Sequence, residues 1–268
     1  MLLCFTMIFC GCQPALLTSY AAGFSVKISK VDAVTGEELE GARFWILDSD
    51  RETVVGWVSG KEAFQVEGLN ASETYVLEEV VAPEGYFLAP EGTFSIGKDG
   101  QIYTNDFTVE DGVLLVKDEM THVKVSKVDA ADGGALEGAT LQIIDNEGSV
   151  VKEWPSTKEV YEIEGLKTGE EYTLRETVAP DGYTVAFDTT FTIDETGKIT
   201  STGTVTEDGV LLVEDSKTSV KISKVNIADG KELEGATLQV LDKDGKVVDE
   251  WTSMAEPHEI EGLNTPTP

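Results

Sequence analysis

The stretch Val26-Lys-Ile-Ser-Lys-Val-Asp32 returns as Val123-Lys-Val-Ser-Lys-Val-Asp129 and again as Val220-Lys-Ile-Ser-Lys-Val-Asn226. The offset is 97 residues both times. A period near one hundred residues indicates tandem domains, because solenoid repeats are much shorter. The chain is therefore predicted to be an array of similar units.

The repeat divides the 268 residues into two full units and about half of a third, at 23–119, 120–216 and 217–268, after a leader at 1–22. Only Glu119 to His122 join the first unit to the second, without Gly or Pro, so we expect a stiff string of domains. The third unit ends before its glutamate and aspartate counterparts. We expect it to be poorly ordered, or the chain to be a fragment of a longer protein, and favour the fragment.

Each unit consists of short runs rich in Val, Ile, Thr, Tyr and Leu that alternate with turn residues, as in Thr173–Val178 followed by Ala179–Gly182. No helical periodicity persists over several turns. Many short strands in about one hundred residues are typical of an all-β, Greek-key, Ig-like sandwich. We therefore predict tandem β-sandwich domains.

The formal net charge of -30, from 50 acidic and 20 basic residues, argues against nucleic acid and anionic membrane surfaces as partners. The acidic segments Asp48–Asp50, Asp145–Gly148 and Asp242–Gly245 lack the ligand spacing of a calcium loop, so we interpret them as hairpin turns. His122 and His258 are too few and too separated for a metal or nucleophile site. We expect no metal and no cofactor.

All three cysteines, Cys4, Cys10 and Cys12, lie in the leader, so the repeats cannot use disulfides. The leader is apolar and contains Ser19-Tyr-Ala21, which would suit signal peptidase, and it resembles a secretion signal. A true start upstream, a gene-model artefact and lipid attachment at Cys12 are the alternatives. No other stretch is apolar and long enough to span a membrane.

Strand alternation predicts that three ionisable residues face the core, because side chains two apart share a face. Lys30 continues the apolar face of Val26 and Ile28, while Lys27 and Ser29 are predicted to point to water. In the same way Glu79 follows Tyr75 and Leu77, and Asp118 follows Leu114 and Val116. The second unit repeats this trio as Lys127, Glu176 and Asp215.

The simplest interpretation of each trio is a buried ion-pair cluster, or strand-end residues that reach solvent. Fully charged, however, the trio would hold one excess negative charge, and each unpaired buried ion costs several kcal/mol. Burial disfavours the charged form of every ionisable group, so a neutral amine beside protonated acids becomes accessible. Such a pair is poised for condensation, and its recurrence in both full units favours a functional cluster.

Three recurring motifs resemble the prealbumin-like B-type domains of Gram-positive surface proteins, among them collagen-adhesin stalk repeats and SpaA-type pilin domains. The motifs are Val-x-x-Ser-Lys-Val-Asp, Leu-Glu-Gly-Ala (39–42, 136–139, 233–236) and Glu-x-x-Ala-Pro-x-Gly-Tyr (79–86, 176–183). The resemblance implies an intramolecular isopeptide bond between a first-strand lysine and a last-strand Asn or Asp, assisted by the glutamate. The implied pairs are Lys30 with Asp118 and Lys127 with Asp215, with Glu79 and Glu176 as the catalytic acids. Lys224 has no partner in this sequence.

We therefore expect a structural stalk or pilin-like segment of a secreted, cell-wall-associated protein, not a turnover enzyme, whose partners are further domains of the same protein. The alternative is an adhesin that binds host matrix protein or glycan directly, for which Trp57, Trp154 and Trp251 could form a platform. A hydrolase using Glu79 and Asp118 is a weaker third class, because both acids point inward. No Leu-Pro-x-Thr-Gly sorting signal is present.

Overall fold

The computed structural model describes residues 23–264, and every regular element in that range is a β-strand. The predicted secretion signal at 1–22 lies outside the described residues. Across 23–264 we find no helix with the length and apolar character needed to cross a membrane. The all-β fold predicted from the sequence is confirmed.

The first repeat is a sandwich of two sheets that face each other across one apolar core. Its strands are β1 (Phe24–Asp32), β2 (Arg43–Leu47), β3 (Thr53–Val58), β4 (Phe64–Leu69), β5 (Thr74–Val81), β6 (Gly92–Ile96), β7 (Ile102–Tyr103), β8 (Thr108–Glu110) and β9 (Val113–Asp118). One sheet has the order β4-β1-β9-β8 and the other the order β3-β2-β5-β6-β7. Strand β1 pairs with β9 in parallel, so the first and last strands of the repeat are neighbours.

The second repeat has the same architecture. Its strands are β10 (His122–Asp129), β11 (Thr140–Ile144), β12 (Val150–Pro155), β13 (Tyr161–Glu164), β14 (Glu171–Val178), β15 (Thr189–Ile193), β16 (Ile199–Ser201) and β17 (Val210–Asp215). The sheets have the orders β13-β10-β17 and β12-β11-β14-β15-β16. Here too the first strand, β10, lies parallel to the last, β17.

Strand alternation places the two cores as predicted, with one exception. Val26 and Ile28 of β1 are buried against Phe44 and Leu77 of the opposite sheet. The prediction that Ser29 points to water is wrong, because Ser29 is buried. Its hydroxyl donates a hydrogen bond to Glu38 Oε1 at 2.6 Å, so the connection after β1 covers the outer face of that strand.

In the third repeat the described strands form only two antiparallel pairs. They are β18 (Ser219–Ile222), β19 (Thr237–Leu241), β20 (Val247–Thr252) and β21 (His258–Glu261), with β18 paired to β21 and β19 to β20. Several apolar side chains that are buried in the full repeats are exposed here, among them Val220 and Leu241. The interpretation of this unit as part of a longer domain stays a prediction.

Candidate functional site

The three ionisable residues predicted from the first repeat lie together in its core. Lys30 comes from β1, Glu79 from β5 and Asp118 from the last position of β9. Lys30 Nζ contacts Asp118 Oδ1 and lies 3.1 Å from Glu79 Oε1. The three side chains are at most 1% exposed. The sequence therefore identified one compact cluster that water does not reach.

The parallel pairing of β1 with β9 explains why the lysine and the aspartate meet. Lys30 lies opposite Val116, and Asp118 follows two positions later on the same face of β9. Glu79 reaches the pair from the facing sheet, where it lies opposite Phe44 of β2. The Phe44 ring centroid is 5.7 Å from Lys30 Nζ, so the cluster is packed against an aromatic face.

The second repeat builds the same cluster with slightly different distances. Lys127 Nζ is 2.7 Å from Asp215 Oδ2 and 3.8 Å from Glu176 Oε1. The amine also donates a hydrogen bond to the Val213 carbonyl at 3.1 Å. In both repeats the amine is closer to the aspartate than to the glutamate.

Burial dominates the electrostatics of both clusters. Loss of water contact raises the pKa of Glu79 to about 7; the negative charge of Asp118 adds to this shift and Lys30 opposes it. Burial likewise raises the pKa of Glu176 to about 7, and it raises the pKa of Asp118 and of Asp215. Burial therefore favours the protonated form of both glutamates more than it is favoured in water.

The aspartate carboxylates have few partners other than the amine. Neither oxygen of Asp118 or Asp215 accepts a hydrogen bond of standard geometry from another group in the described range. A carboxylate in this position keeps much of its desolvation cost, because only the amine replaces the lost water. Each aspartate is thus held against an amine in an environment that disfavours its charge.

A backbone amide orients each glutamate, and sequence reasoning missed this contact. The Ala89 amide donates to Glu79 Oε2 at 2.7 Å, and the Ala186 amide donates to Glu176 Oε2 at 2.6 Å. The amide occupies one carboxyl oxygen, and the other oxygen, Oε1, is the one nearest the lysine. The only sequence signal is that both alanines follow the glutamate by ten residues.

In each full repeat a tyrosine–aspartate hydrogen bond holds the turn that follows the strand carrying the cluster glutamate. Tyr86 donates to Asp32 Oδ2 at 2.9 Å, and Tyr183 donates to Asp129 Oδ2 at 2.8 Å. Asp32 also accepts the backbone amides of Val34 and Thr35, which lower the pKa of its carboxyl. The aspartate and the tyrosine both belong to recurring motifs, and their spacing is the same in the two repeats. This pairing could therefore have been predicted from the sequence.

Lys224 does not take part in such a cluster. It is exposed, follows strand β18, and forms no ion pair with any residue between 23 and 264. Asn226 stands where the full repeats have Asp32 and Asp129. The third repeat therefore has the lysine of the motif without its surroundings.

Two of the three tryptophans proposed as a binding platform, Trp57 and Trp154, have covered rings, whereas Trp251 is partly exposed. Trp57 stacks between Phe44 and Phe64, with ring centroids 5.0 and 4.9 Å away, and Trp154 stacks on Tyr161 at 4.8 Å. Trp57 and Trp154 are buried, as core residues would be. Because their faces are occupied, they offer no free surface to a sugar ring.

The acidic segments form turns, as predicted. Asp48 Oδ1 accepts the amides of Asp50 and Glu52, and Asp145 Oδ1 accepts those of Glu147 and Ser149. These carboxylates accept hydrogen bonds from the backbone of the hairpins, which is a common role for aspartate in turns.

Fold and site together define a class of protein: a tandem of β-sandwich domains in which a buried amine on the first strand contacts a buried carboxyl on the last. The SpaA prealbumin-like fold domain family matches residues 24–111 and 121–207, which is more than half of the chain. The chain belongs to this family, and the resemblance seen in its motifs is confirmed.

Solved structures from Bacillus anthracis and Lactobacillus rhamnosus GG are similar to the chain. The Bacillus anthracis TIE protein is 26% identical, with a TM-score of 0.45; the match covers 90% of this chain and 43% of that one. The C-terminal fragment of the pilus adhesin SpaC from Lactobacillus rhamnosus GG is 18% identical, with 74% and 98% covered and a TM-score of 0.40. The shaft pilin SpaA from that organism is 14% identical, with 74% and 99% covered and a TM-score of 0.31. The chain thus spans less than half the length of the TIE protein. A search of curated proteins found no match.

Proposed function

We propose that this chain is a stalk or pilin-like segment of a secreted cell-surface protein, built from units at 23–119, 120–216 and 217–268. The first two units are each closed by an intramolecular isopeptide bond, Lys30 to Asp118 and Lys127 to Asp215. The observation that carries the proposal is the contact of a buried amine with a buried carboxyl, beside a glutamate of pKa about 7, in both full repeats. Membership of the SpaA family supports a pilin-type structural role.

The proposed reaction is a condensation that needs no co-reactant. The neutral amine of Lys30 attacks Cγ of the protonated Asp118 carboxyl and forms a C–N bond. Protonated Glu79 gives its proton to the carboxyl oxygen that becomes negative, and the resulting Glu79 carboxylate accepts the proton that the nitrogen loses. Glu79 then protonates one of the two hydroxyls, the C–O bond to that hydroxyl breaks, and the remaining hydroxyl returns its proton to Glu79 as the amide carbonyl forms. One amide and one water are the products.

Folding supplies most of the rate enhancement. The reacting groups are already in contact, and well-oriented intramolecular reactions reach effective molarities of about 10⁵ to 10⁸ M. The reaction occurs once per domain, so Glu79 and Glu176 act as catalytic residues of a single turnover. The protein is on this proposal not a turnover enzyme.

The position of the bond fits a load-bearing role. Because β1 and β9 are neighbours, a bond between them passes a pulling force directly from the start of a unit to its end. The strands between them then carry little of that force. Without cysteines in the repeats, an isopeptide bond would provide the crosslink that a disulfide provides elsewhere.

Intact mass spectrometry of the purified chain tests the proposal. The expected mass is lower than the sequence mass by one water for each bond, that is, by two waters. Lys127→Ala or Glu176→Ala should restore one water, and Lys224→Ala is the matched control that should restore none. If the cluster variants fail to fold, tandem mass spectrometry of peptides from the wild type still tests the proposal. A crosslinked peptide pair must then contain Lys127 and Asp215. A wild-type mass equal to the sequence mass would overturn the proposal.

A further inference from the structure

A buried threonine connects the first repeat to the second. Thr121 is fully buried, and its amide donates a hydrogen bond to the Gly85 carbonyl of the preceding repeat at 2.9 Å. Its hydroxyl oxygen lies 2.5 Å from the Leu166 carbonyl and 3.2 Å from that of Gly85. A hydroxyl has one hydrogen, and the shorter distance assigns it to Leu166. The Gly165 amide completes the contact by donating to the Thr121 carbonyl at 2.9 Å.

The same contact recurs between the second and third repeats. The Thr218 amide donates to the Gly182 carbonyl at 2.9 Å, and its hydroxyl donates to the Leu263 carbonyl at 2.6 Å. The Gly262 amide donates to the Thr218 carbonyl at 2.9 Å. Each of these residues is the counterpart of one at the first joint, 97 positions earlier.

Glycine is required where the two turns meet. Gly85 has a φ of +81°, and a Cβ atom there would lie 2.9 Å from the Gly165 carbonyl oxygen. Gly182 has a φ of +82°, and its Cβ would lie 2.8 Å from the Gly262 carbonyl oxygen. Both the backbone conformation and the contact with the next repeat exclude a side chain.

The unit that receives the turn forms this contact without a lysine cluster of its own. The third repeat forms it in full, although Lys224 there is exposed and has no acidic partner among the described residues. The first repeat has Phe24 at the threonine position, paired with Leu69 across the sheet. Phenylalanine has no hydroxyl to donate, so within residues 23–264 the complete set of bonds is present only at the two joints.

We propose that the Pro-x-Gly-Tyr turn of each full repeat is a docking surface whose partner is the next unit of the same type. The next unit presents its first-strand threonine and its Glu-Gly-Leu turn, and the bonds hold successive units in one relative orientation. The two segments therefore form the joint of the array. The turn of the first repeat also contains Tyr86 and leads to Ala89, so one loop serves both the joint and the lysine cluster.

Amide hydrogen exchange of the full chain, followed by NMR, tests the proposal. In the wild type the amides of Thr121 and Thr218 should be protected like those of core strands. Gly85→Ala inserts a Cβ into the joint and should accelerate exchange at Thr121 roughly 5- to 30-fold, the effect of losing a contact of ordinary strength. Exchange at Thr218, in the untouched second joint, should not change.

Gly112→Ala is the matched control, because Gly112 has a φ of +78° and no atom near the added Cβ. It imposes similar backbone strain in the same repeat without touching the joint, so Thr121 should stay protected. Thr121→Val is a second variant: it replaces the hydroxyl by a methyl group and should reduce the protection of the Gly165 amide. Thr121→Ser keeps a hydroxyl and should retain that protection. Unprotected joint amides in the wild type, or no response to Gly85→Ala and Thr121→Val, would overturn the proposal. The mass test of the isopeptide bonds is unaffected by either outcome.

Discussion

Glu176→Gln distinguishes a covalent from a non-covalent cluster, because the two cases predict different changes in stability. The substitution keeps the shape of the side chain, and its carbonyl oxygen can still accept the Ala186 amide. It removes the acid that would relay protons between Lys127 and Asp215. If the isopeptide bond depends on that acid, the variant folds without the bond.

The loss of stability that follows from losing the bond can be calculated. The crosslink from Lys127 to Asp215 closes a loop of about 90 residues, and the chain-entropy relation gives about 4.5 kcal/mol of stabilisation for such a loop. A unit of about 100 residues unfolds with an entropy near 210 cal/mol/K, so this loss lowers its melting temperature by about 20 °C.

A non-covalent cluster predicts a different result. With all three groups charged, the core holds one lysine against two carboxylates, and neutral Gln removes the excess negative charge. Replacing members of buried charge clusters by neutral groups is often neutral or stabilising. The melting temperature would then stay the same or rise.

Differential scanning calorimetry of the full chain, with intact mass on the same sample, is the assay. The second repeat should melt about 20 °C lower than in the wild type while the first repeat keeps its transition, and the deficit relative to the variant's own sequence mass should shrink by one water. Glu171→Gln, at an exposed position on the same strand, is the control and should change neither quantity. An unchanged or higher melting temperature with an unchanged deficit relative to the sequence mass would refute the reasoning.

Three further predictions follow from the same contacts. Amine-reactive labelling of the denatured chain should modify Lys224 but leave Lys30 and Lys127 unmodified; labelling of all three would contradict the bonds. In Lys127→Met burial keeps the pKa values of Glu176 and Asp215 raised, so the native state binds protons that the unfolded state releases and stability should fall as pH rises above about 4.5. The expected loss is on the order of a few kcal/mol between urea unfolding at pH 5 and at pH 8, and adding Glu176→Gln should reduce it to the part due to Asp215. Tyr183→Phe removes a hydrogen bond to buried Asp129 and should cost about 1.5–3 kcal/mol, whereas Tyr103→Phe, whose partner Asp99 is exposed, should cost under about 0.5 kcal/mol in the same unfolding experiment.

The sequence was sufficient to predict the cluster because it depends on two simple regularities. Strand side chains alternate with a period of two, and this placed Lys30, Glu79 and Asp118 on the core side of their strands. The 97-residue repeat then showed that the same three types recur together. Neither step needs knowledge of how the strands pair.

The contacts that depend on loops could not be predicted in this way. Ser29 lies on the outer face of β1, and its burial results from Glu38, whose position depends on how the following connection folds back. The Ala89 amide reaches Glu79 for a similar reason, since the turn that carries it is held in part by Tyr86 and Asp32. Alternation says which face a side chain takes, but not which loop will cover it.

The placement of three ionisable groups in a core is itself an argument for the covalent bond. As separate ions, two carboxylates and one amine keep a net negative charge where desolvation is most costly. Condensation would convert Lys30 and Asp118 into a neutral amide and leave Glu79, whose pKa of about 7 already favours its neutral form relative to a glutamate in water. The burial that makes the ion cluster unfavourable would thus also drive its conversion. In the third repeat Lys224 is exposed to solvent. Its charge therefore has no desolvation cost, and burial does not favour a reaction there.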